Sequence, residues 1–363
     1  MEKNLPYYVG FSHFLGIGPT RFAALLHYFK DVKKAYQASR SDLGKIIGIN
    51  LAEKFVEFRG KFDPIKKLEE FKRKEIKVSP LLMRSHAKSL QQIPDPPICL
   101  YVKGNIDNFA FEKDYYFAVV GTRRPTPYGE QVAKKFALEL AQAGFIIVSG
   151  MAIGIDTIAH KAALEAGAKT IAILGCGVDI IYPPSNLKLY NDIINQGGLV
   201  ISEFPPGHTV LPGLFIARNR LISGLSMGVL VVEGAKDSGA LITARYAVEQ
   251  GKEVFAPPGP LTSEMSTAPN LLLKQGAKLV TSIEDILEEF NLRLVPKKKE
   301  EIEAELEGDE KVIFAILRSE PKLSDEIVNQ SNFSVDRVLN LLSMLEIRGV
   351  VEKNREGRYQ LKY

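Results

Sequence analysis

Glycine, hydroxyl and arginine side chains are concentrated in five short segments of the sequence, each placed close to the end of a predicted strand. Glycine lets the backbone approach a ligand closely, hydroxyl and backbone N–H groups can bind phosphate oxygens, and arginine can donate two parallel hydrogen bonds. Any one segment is typical of an ordinary turn, but the five together predict an anion or phosphate pocket. The segments are 121–125 (Gly-Thr-Arg-Arg-Pro), 149–156 (Ser-Gly-Met-Ala-Ile-Gly-Ile-Asp), 175–177 (Gly-Cys-Gly), 215–220 (Phe-Ile-Ala-Arg-Asn-Arg) and 237–243 (Asp-Ser-Gly-Ala-Leu-Ile-Thr).

The same segments offer little for catalysis. Gly121 does not begin the Gly-x-Gly-x-x-Gly pattern of dinucleotide sites, and the sequence contains no Walker A motif. Asp156 and His160 stand one helical turn apart, a spacing that can orient a base, although we favour a helix cap and its neighbour. The five histidines show no metal-ligand spacing, so we expect no catalytic residue, no metal and no cofactor. The remaining carboxylates near strand ends are isolated in sequence: Glu203, Glu233 and Asp179.

The composition predicts a cytoplasmic protein without disulfides. Its 45% hydrophobic and 25% charged residues are typical of soluble globular proteins. The sequence has no apolar run of membrane-spanning length and no signal-like N-terminal segment. The two cysteines, Cys99 and Cys176, match no metal or redox spacing and are expected to be reduced and buried.

An alternation of strands and helices between residues 112 and 290 must position the five segments. The strands are nearly continuous apolar runs, which predict a mostly parallel, Rossmann-like α/β sheet covered by helices on both faces. In such a sheet, ligands bind beyond the carboxyl ends of the strands. The predicted strands are 98–102, 117–120, 145–148, 170–174, 199–201, 229–232 and 253–256, and the predicted helices are 128–143, 156–166, 187–196 and 240–250.

Four further regions flank this core. Residues 1–75 predict a helical domain of helix-hairpin-helix or SAM-like type, because glycine turns around Gly16 and Gly48 each precede a helix. Residues 76–111 predict a linker followed by the leading strand of the core, and residues 291–308 predict a charged linker. Residues 309–363, with three predicted helices and a hairpin, are similar to a winged helix.

The net charge of +4 is too small to indicate a nucleic-acid binder, but the charge is distributed unevenly along the chain. Residues 1–95 contain 18 basic and 10 acidic groups, which fits either phosphate contact or a solvated helical surface. Residues 309–363 contain nine of each, and their third helix is poor in the side chains that read a DNA groove. For this last region we favour a protein-contact or regulatory role over duplex reading.

Five blocks of the sequence resemble the signature blocks of the DprA/Smf family of DNA-processing proteins. Their order and spacing match, and the strong similarity covers about half of the chain. The helical start and the winged-helix-like end resemble accessory domains found around that family's core. The blocks are 119–123, 149–156 with Ala159 and His160, 218–226, 238–244 and 251–259.

The resemblance implies a non-catalytic protein that binds and protects single-stranded DNA and helps load the recombinase RecA during natural transformation. It also implies a homodimer formed through the Rossmann-like core. By position, Gly121, Thr122 and Arg123 would contact a DNA phosphate, Phe215 would either stack on a base or anchor its own loop, and Arg124 would be peripheral. The other residues of the implied DNA- and phosphate-binding site are Ser149, Gly150, Gly154, Arg218, Asn219, Arg220, Ser238 and Gly239.

Three positions depart from the family pattern. Ile153 and Ala217 stand where the family usually has a basic residue, and the late block 268–270 has Ala-Pro-Asn instead of a glycine and a small residue before the asparagine. Two missing cations would remove two phosphate contacts and reduce the salt dependence of binding. We therefore expect weaker DNA binding, or a larger contribution from the basic N-terminal region.

Two other functions remain open. The core resembles, more distantly, the nucleoside-monophosphate phosphoribohydrolases, but Thr243 is followed by Ala244 where those enzymes have an acidic residue. A nucleotide sensor would bind a mononucleotide in the same pocket and signal through the winged helix. One nucleotide per chain, instead of a strand that spans a dimer, would identify the sensor.

Overall fold

The computed structural model describes residues 2–80, 88–292, 306, 308–318, 320–347, 350–354 and 357–361. They form two compact units, Met1–Asn291 and Leu292–Tyr363. Most of the predicted charged linker, 291–308, lies outside the described residues. In the part of the chain that is described, no helix has both the length and the hydropathy needed to span a membrane.

One mostly parallel sheet organises the first unit and confirms the predicted α/β fold. Its strands are β1 (Lys77–Pro80), β2 (Cys99–Lys103), β3 (Tyr115–Val120), β4 (Phe145–Ser149), β5 (Thr170–Ile173), β6 (Leu199–Ser202), β7 (Gly228–Val231), β8 (Glu253–Ala256) and β9 (Lys278–Leu279). They lie in the order β1-β2-β6-β5-β4-β3-β7-β8-β9. Strands β3 to β9 are parallel to one another, whereas β2 pairs antiparallel with both β6 and β1.

The order of the strands reverses between β3 and β7. From β3 the chain builds outward through β4, β5 and β6, and then returns to place β7 on the other side of β3, with Phe117 opposite Gly228. The connections leaving β3 and β7 therefore run in opposite directions. A crevice forms at such a point beyond the carboxyl ends of the strands, and open α/β sheets bind their ligands there.

The N-terminal helices share an aromatic core that contains Phe11, Phe22, Tyr36 and Phe55. The predicted glycine turns do precede helices, and Gly48, with a φ of +84°, occupies a conformation that favours glycine. The helices are α1 (Leu5–His13), α2 (Pro19–Phe29), α3 (Val32–Gln37), α4 (Arg40–Ile47), α5 (Ile49–Lys61) and α6 (Pro64–Arg73).

These helices and the sheet belong to the same compact unit. Val9 on α1, Phe71 on α6 and Tyr101 on β2 pack in one hydrophobic cluster. The Tyr101 hydroxyl is fully buried and lies 2.6 Å from the Ser12 hydroxyl. The segment around β2 thus joins the N-terminal helices to the sheet.

The later helices of the unit cover both faces of the sheet, as the apolar strands predict. Leu221 and Ala244, on the two helices flanking β7 in sequence, pack with Ala118 and Val120, while Phe117 faces the opposite side and contacts Phe290. The helices are α7 (Lys88–Gln91), α8 (Pro127–Gln142), α9 (Ile155–Glu165), α10 (Leu187–Asn195), α11 (Pro212–Leu225), α12 (Gly239–Glu249), α13 (Thr267–Lys274) and α14 (Ile283–Glu289).

Three segments differ from the prediction. Residues 215–220, predicted as a loop, lie on α11, which begins at Pro212, a residue suited to the first turn of a helix. Its buried side includes Arg218, Arg220 and Ser223, so the apolar periodicity that predicts helices is weak there. The late block 268–270 lies on α13. The linker predicted at the start of residues 76–111 contributes β1 to the sheet.

The described residues of the second unit form three helices and a two-stranded hairpin, the winged-helix arrangement expected from the sequence. They are α15 (Asp309–Leu317), α16 (Ser324–Ser331), α17 (Val335–Ile347), β10 (Val351–Lys353) and β11 (Tyr359–Leu361). On α17, Arg337 pairs with Asp309, and Val335, Leu339 and Met344 are exposed. These exposed apolar side chains accord with a protein contact, which stays a prediction.

Candidate functional site

A cavity of about 660 Å³ opens at the carboxyl ends of β3 and β7, where the strand order reverses. Its volume lies within the range of small-molecule and cofactor sites. The structure brings eight of the twelve predicted site residues to its wall, and the four that do not line it are Ser149, Gly150, Gly154 and Arg220. The eight lining residues are Gly121, Thr122, Arg123, Phe215, Arg218, Asn219, Ser238 and Gly239.

The loop that follows β3 is held by Glu233, a buried carboxylate just beyond β7. Thr126 donates its backbone N–H and its hydroxyl to this carboxylate over 2.9 and 2.6 Å, and the Thr122 N–H donates to the Glu233 carbonyl over 2.8 Å. A Cβ at Gly121 would lie 2.6 Å from Ile155 Cγ1, so only glycine lets the loop pack this closely on α9. The loop is therefore fixed across the crevice, with Arg123 exposed.

Arg123 faces an aromatic wall. Its guanidinium carbon lies 5.6 Å from the centre of the Phe215 ring, within the range of a cation–π contact. The Tyr182 ring lies 5.4 Å from the Phe215 ring, with an angle of 38° between the planes. Exposed Arg124 also lines the cavity. A flexible cation beside aromatic faces can bind a phosphate and a neighbouring base together.

The glycine-rich loop after β4 supports the cavity from behind. The Ser149 side chain is fully buried and donates to the Val119 carbonyl over 2.7 Å. A Cβ at Gly150 would lie 2.3 Å from the Arg218 guanidinium, and a Cβ at Gly154, where φ is +82°, would lie 2.4 Å from the Thr122 carbonyl oxygen. All three residues thus serve the packing between loops, and direct contact with DNA stays a prediction for them.

Arg218 lines the cavity but is almost completely buried. It donates to the Gly150 carbonyl over 2.6 Å, to the Ile173 carbonyl, and to the Asn219 side-chain oxygen over 3.1 Å. The Asn219 amide in turn donates to the Gly239 carbonyl over 3.3 Å. Arg218 and Asn219 therefore connect α11 to the loop after β4, to β5 and to the start of α12, and the Arg218 guanidinium contributes positive charge to the cavity.

Arg220 does not line the cavity, and its position does not support the DNA contact predicted for it. Its side chain is only 4% exposed. It donates two hydrogen bonds to the Glu203 carboxylate, over 3.0 and 2.6 Å, and one to Asp95 over 2.8 Å. With its donors engaged by two carboxylates, Arg220 joins α11 to the end of β6 and to the segment before β2.

The start of α12 forms the opposite wall. The Ser238 hydroxyl caps the helix by accepting from the Ala240 N–H over 3.3 Å. Gly239 is exposed, and a Cβ there would meet no atom within 4 Å. The N-terminus of a helix favours an anion, although Asp237 also lines this wall.

The Asp156 and His160 pair is structural. Asp156 accepts from the N–H groups of Gly150 and Ala152 over 3.1 and 3.3 Å, and its burial raises the pKa of the carboxyl group, against the effect of Arg218. His160 Nδ1 lies 2.7 Å from the Thr170 hydroxyl. Burial, with a further contribution from Arg218, lowers the pKa of His160 to about 3. His160 therefore acts inside the fold, and Asp156, which also lines the cavity, is almost completely buried and holds the backbone of the loop after β4.

Cys99 and Cys176 are free and buried, as expected, and burial raises the pKa of each thiol to about 11. A thiol with such a pKa is a poor nucleophile near neutral pH. Within the described ranges, no cluster of three or more His, Cys, Asp or Glu side chains could hold a metal ion.

Sequence reasoning missed Tyr182 and the role of Glu233. The signal for Tyr182 was weak, an aromatic residue before a proline in the connection after β5. Glu233 carried more signal, as a carboxylate directly after a buried strand, but its partner Thr126 is more than 100 residues away and can be identified only from the fold.

Comparisons with known proteins match two family models to the chain. The model of DNA recombination-mediator protein A matches residues 80–291, and that of the DprA winged helix domain matches residues 297–356. Protein Smf of Synechocystis sp. is 33% identical over 391 residues, covering 98% of this chain and 98% of that protein. DNA processing protein DprA of Streptococcus pneumoniae is 45% identical over 201 residues, covering 55% of this chain and 70% of the relative.

Solved structures give the same result. The X-ray structure of DNA processing protein A from Streptococcus pneumoniae is 36% identical, with a TM-score of 0.68, and covers 78% of this chain and 96% of that one. DNA processing protein A from Helicobacter pylori, whose structure describes a single-stranded DNA binding mode, is 34% identical, with a TM-score of 0.53, and covers 60% and 96%. The chain therefore belongs to the DNA recombination-mediator protein A family, also called DprA or Smf.

Proposed function

We propose that this chain binds single-stranded DNA in the cavity between β3 and β7 and acts as a recombination mediator without catalysing a reaction. One observation carries the proposal: the exposed guanidinium of Arg123 lies beside the Phe215 ring inside a cavity at the point where the strand order reverses. Proteins that bind single strands combine cations for the phosphates with aromatic faces for the bases. The single-stranded DNA binding mode described for the Helicobacter pylori relative supports the same ligand.

A single strand fits the cavity better than a duplex does. Stacking on Phe215 requires a base with a free face, whereas both faces of a paired base are covered by its neighbours in a duplex. The wall also contains Ile216 and Val210, which can contact sugars and bases but not phosphates. We therefore expect a preference for single strands with little preference for sequence.

The three arginines that line the cavity have different roles in this proposal. Arg123 binds a phosphate directly, Arg124 contributes at the rim, and Arg218 holds the loop after β4 and adds charge from inside. Neutralising Z phosphates of a single strand gives a salt slope of about −0.7Z. One or two phosphates per cavity predict a shallow slope, of about −0.7 to −1.4. A steeper slope would indicate additional contacts by the basic N-terminal region.

Fluorescence anisotropy tests the proposal by comparing oligo-dT, a matched duplex and a mononucleotide over a salt series. We expect the chain to prefer oligo-dT, its affinity to fall with salt, and Arg123→Ala to weaken binding at least tenfold. Arg245→Ala is the matched control, because Arg245 is exposed and does not line the cavity.

Two outcomes would replace the proposal. Tight binding of one mononucleotide per chain, without a preference for single strands, would favour the sensor, and release of a base from a nucleoside monophosphate would favour the phosphoribohydrolase.

The cellular role follows from the resemblance. We propose that the protein acts in the cytoplasm as a homodimer formed through the Rossmann-like core, and delivers its DNA to RecA during natural transformation. Light scattering should then give the mass of two chains, and the protein should shorten the lag of RecA assembly on DNA covered by a single-strand-binding protein. A monomer, or an unchanged lag, would contradict the corresponding part.

A further inference from the structure

Tyr182 is an exposed aromatic residue on the connection between β5 and α10. Its neighbours Ile180 and Ile181 pack against a buried hydrophobic cluster, whereas Tyr182 is 40% exposed and lines the cavity. It also borders an adjacent pocket of about 60 Å³ together with Arg123 and Phe215. The ring therefore belongs to the wall of the cavity and not to the core.

The connection that carries Tyr182 is anchored on both sides of it. Before it, the Tyr190 hydroxyl donates to the Val178 carbonyl over 2.6 Å, and Cys176 Sγ donates to the Ile180 carbonyl over 3.3 Å. After it, the Asn186 amide donates to the Met151 carbonyl over 2.8 Å. A ring presented by a fixed backbone loses little conformational entropy when a ligand binds.

The geometry of the two rings suits two bases better than one. The ring centres are 5.4 Å apart, and the planes are inclined by 38°. Each ring can stack on one base, but two bases held in this way cannot stay parallel to each other. A single strand tolerates such a bend between successive nucleotides, and Arg123, beside Phe215, is placed to bind a phosphate nearby.

We propose that Tyr182 is a further base-stacking residue, so that Tyr182 and Phe215 hold two successive bases of one strand. The inference rests on the proposed function, because it assumes that a single strand enters the cavity. It adds a minimum footprint of two nucleotides per cavity and a bend in the strand between them.

A double-mutant cycle between the protein and the DNA tests the inference. Short oligo-dT ligands carry one abasic position each, moved along the strand, and their affinities for the wild type and for Tyr182→Leu are compared by anisotropy. Loss of one stacked base weakens binding by about tenfold. We expect Tyr182→Leu to weaken binding of intact oligo-dT about tenfold, and to weaken it little further at one abasic position. Phe215→Leu should show the same coupling at the adjacent position.

Two variants separate stacking from other effects. Tyr182→Phe keeps the aromatic face and should bind within about twofold of the wild type. Tyr115→Leu is the matched control, because Tyr115 is 45% exposed and begins β3, at the end of the strand opposite the cavity. Thermal unfolding of every variant shows whether the fold is retained, and the abasic scan of the wild type alone should give two adjacent sensitive positions even if Tyr182→Leu unfolds.

Several results would overturn the inference. One is that Tyr182→Leu binds oligo-dT with the affinity of the wild type, and another is that Tyr182→Phe loses as much affinity as Tyr182→Leu. In the abasic scan, an equal loss of affinity at every position, or a single sensitive position in the wild type, would also contradict it. These failures differ from failure of the proposed function, in which the wild type itself would show no preference for single strands and Arg123→Ala would have no effect.

Discussion

The loop after β3 and helix α11 both bring arginines to the cavity region, but they use them in opposite ways. Arg123 and Arg124 on the loop are exposed. Arg218 and Arg220 on the helix are buried, and their donors are engaged by carbonyl groups, an amide and carboxylates. An arginine side chain thus serves the proposed ligand in one region and the packing of the protein in the other. Burial and internal hydrogen-bond partners determine which role an arginine has. Substitutions on α11 should therefore affect stability, and substitutions in the loop after β3 should affect DNA affinity.

The largest effect is expected from Arg220→Met. Removing one partner of a buried ion pair leaves Glu203 buried and unpaired, which costs about 3–5 kcal/mol. Urea unfolding should show a loss of this size, while the folded fraction keeps its affinity for oligo-dT. A compensating Glu203→Leu substitution in the same chain should restore part of the stability. Unchanged stability together with lost DNA binding would contradict this comparison, because it would show that Arg220 binds the ligand and does not hold the fold.

Acid should destabilise the buried region through His160. Its pKa of about 3 in the folded state lies below the ordinary value of 6.5, so the neutral ring is favoured in the fold. This contribution to stability is complete above about pH 6.5 and is lost as the pH falls towards 3, with a slope of up to about 1.4 kcal/mol per pH unit. We expect His160→Gln to flatten the dependence of the unfolding free energy on pH between 6 and 4.

His27→Gln serves as the control for that pH series, because His27 is exposed on α2. Arg123→Ala should leave the pH dependence unchanged, since it belongs to the exposed region. A steep acid transition that persists in His160→Gln would place its origin elsewhere, for example at His13, whose pKa burial lowers to about 4.

The smallest effect is expected from Arg124→Ala. An exposed charge away from special features changes stability by no more than about 0.5 kcal/mol. The proposed function gives Arg124 only a weak contact with the strand at the rim of the cavity, so affinity for oligo-dT should fall less than in Arg123→Ala, by about threefold or less. Anisotropy at two salt concentrations measures the difference. Equal losses in the two variants would show that the whole loop, and not Arg123 alone, binds phosphate.

Strands β2 to β8 were predictable because they are buried and therefore appear as apolar runs, such as 145–148 and 229–232, whereas β1 and the exposed β9 were not predicted. The loops at the strand ends were predictable because each follows one of these apolar runs. Helix α11 was not, because its buried side carries Arg218 and Arg220, and only tertiary partners make a buried arginine acceptable. Asp95 lies 125 residues from Arg220 in sequence, so no local pattern reveals the pair.

The roles of individual site residues were harder to predict than the site itself. Arg123 and Arg220 are the same residue type in blocks of similar appearance, and only the fold shows that one is exposed and the other is enclosed. Tyr182 lies in no recognisable motif, since the role proposed for it depends on where a connection anchored by Tyr190 and Asn186 places its ring.

The antiparallel pairing of β2 with β6 limits how far the chain can be truncated from its N-terminus. A fragment that began at residue 112 would keep every parallel strand, yet it would uncover the backbone N–H and C=O groups of β6 that now bond to β2. Unprotected strand edges of this kind recruit other chains, so such a fragment is expected to aggregate. It would also lack Asp95, and with it one of the two carboxylates that neutralise Arg220. The smallest independently soluble form of the core should therefore begin no later than Lys77, at the start of β1.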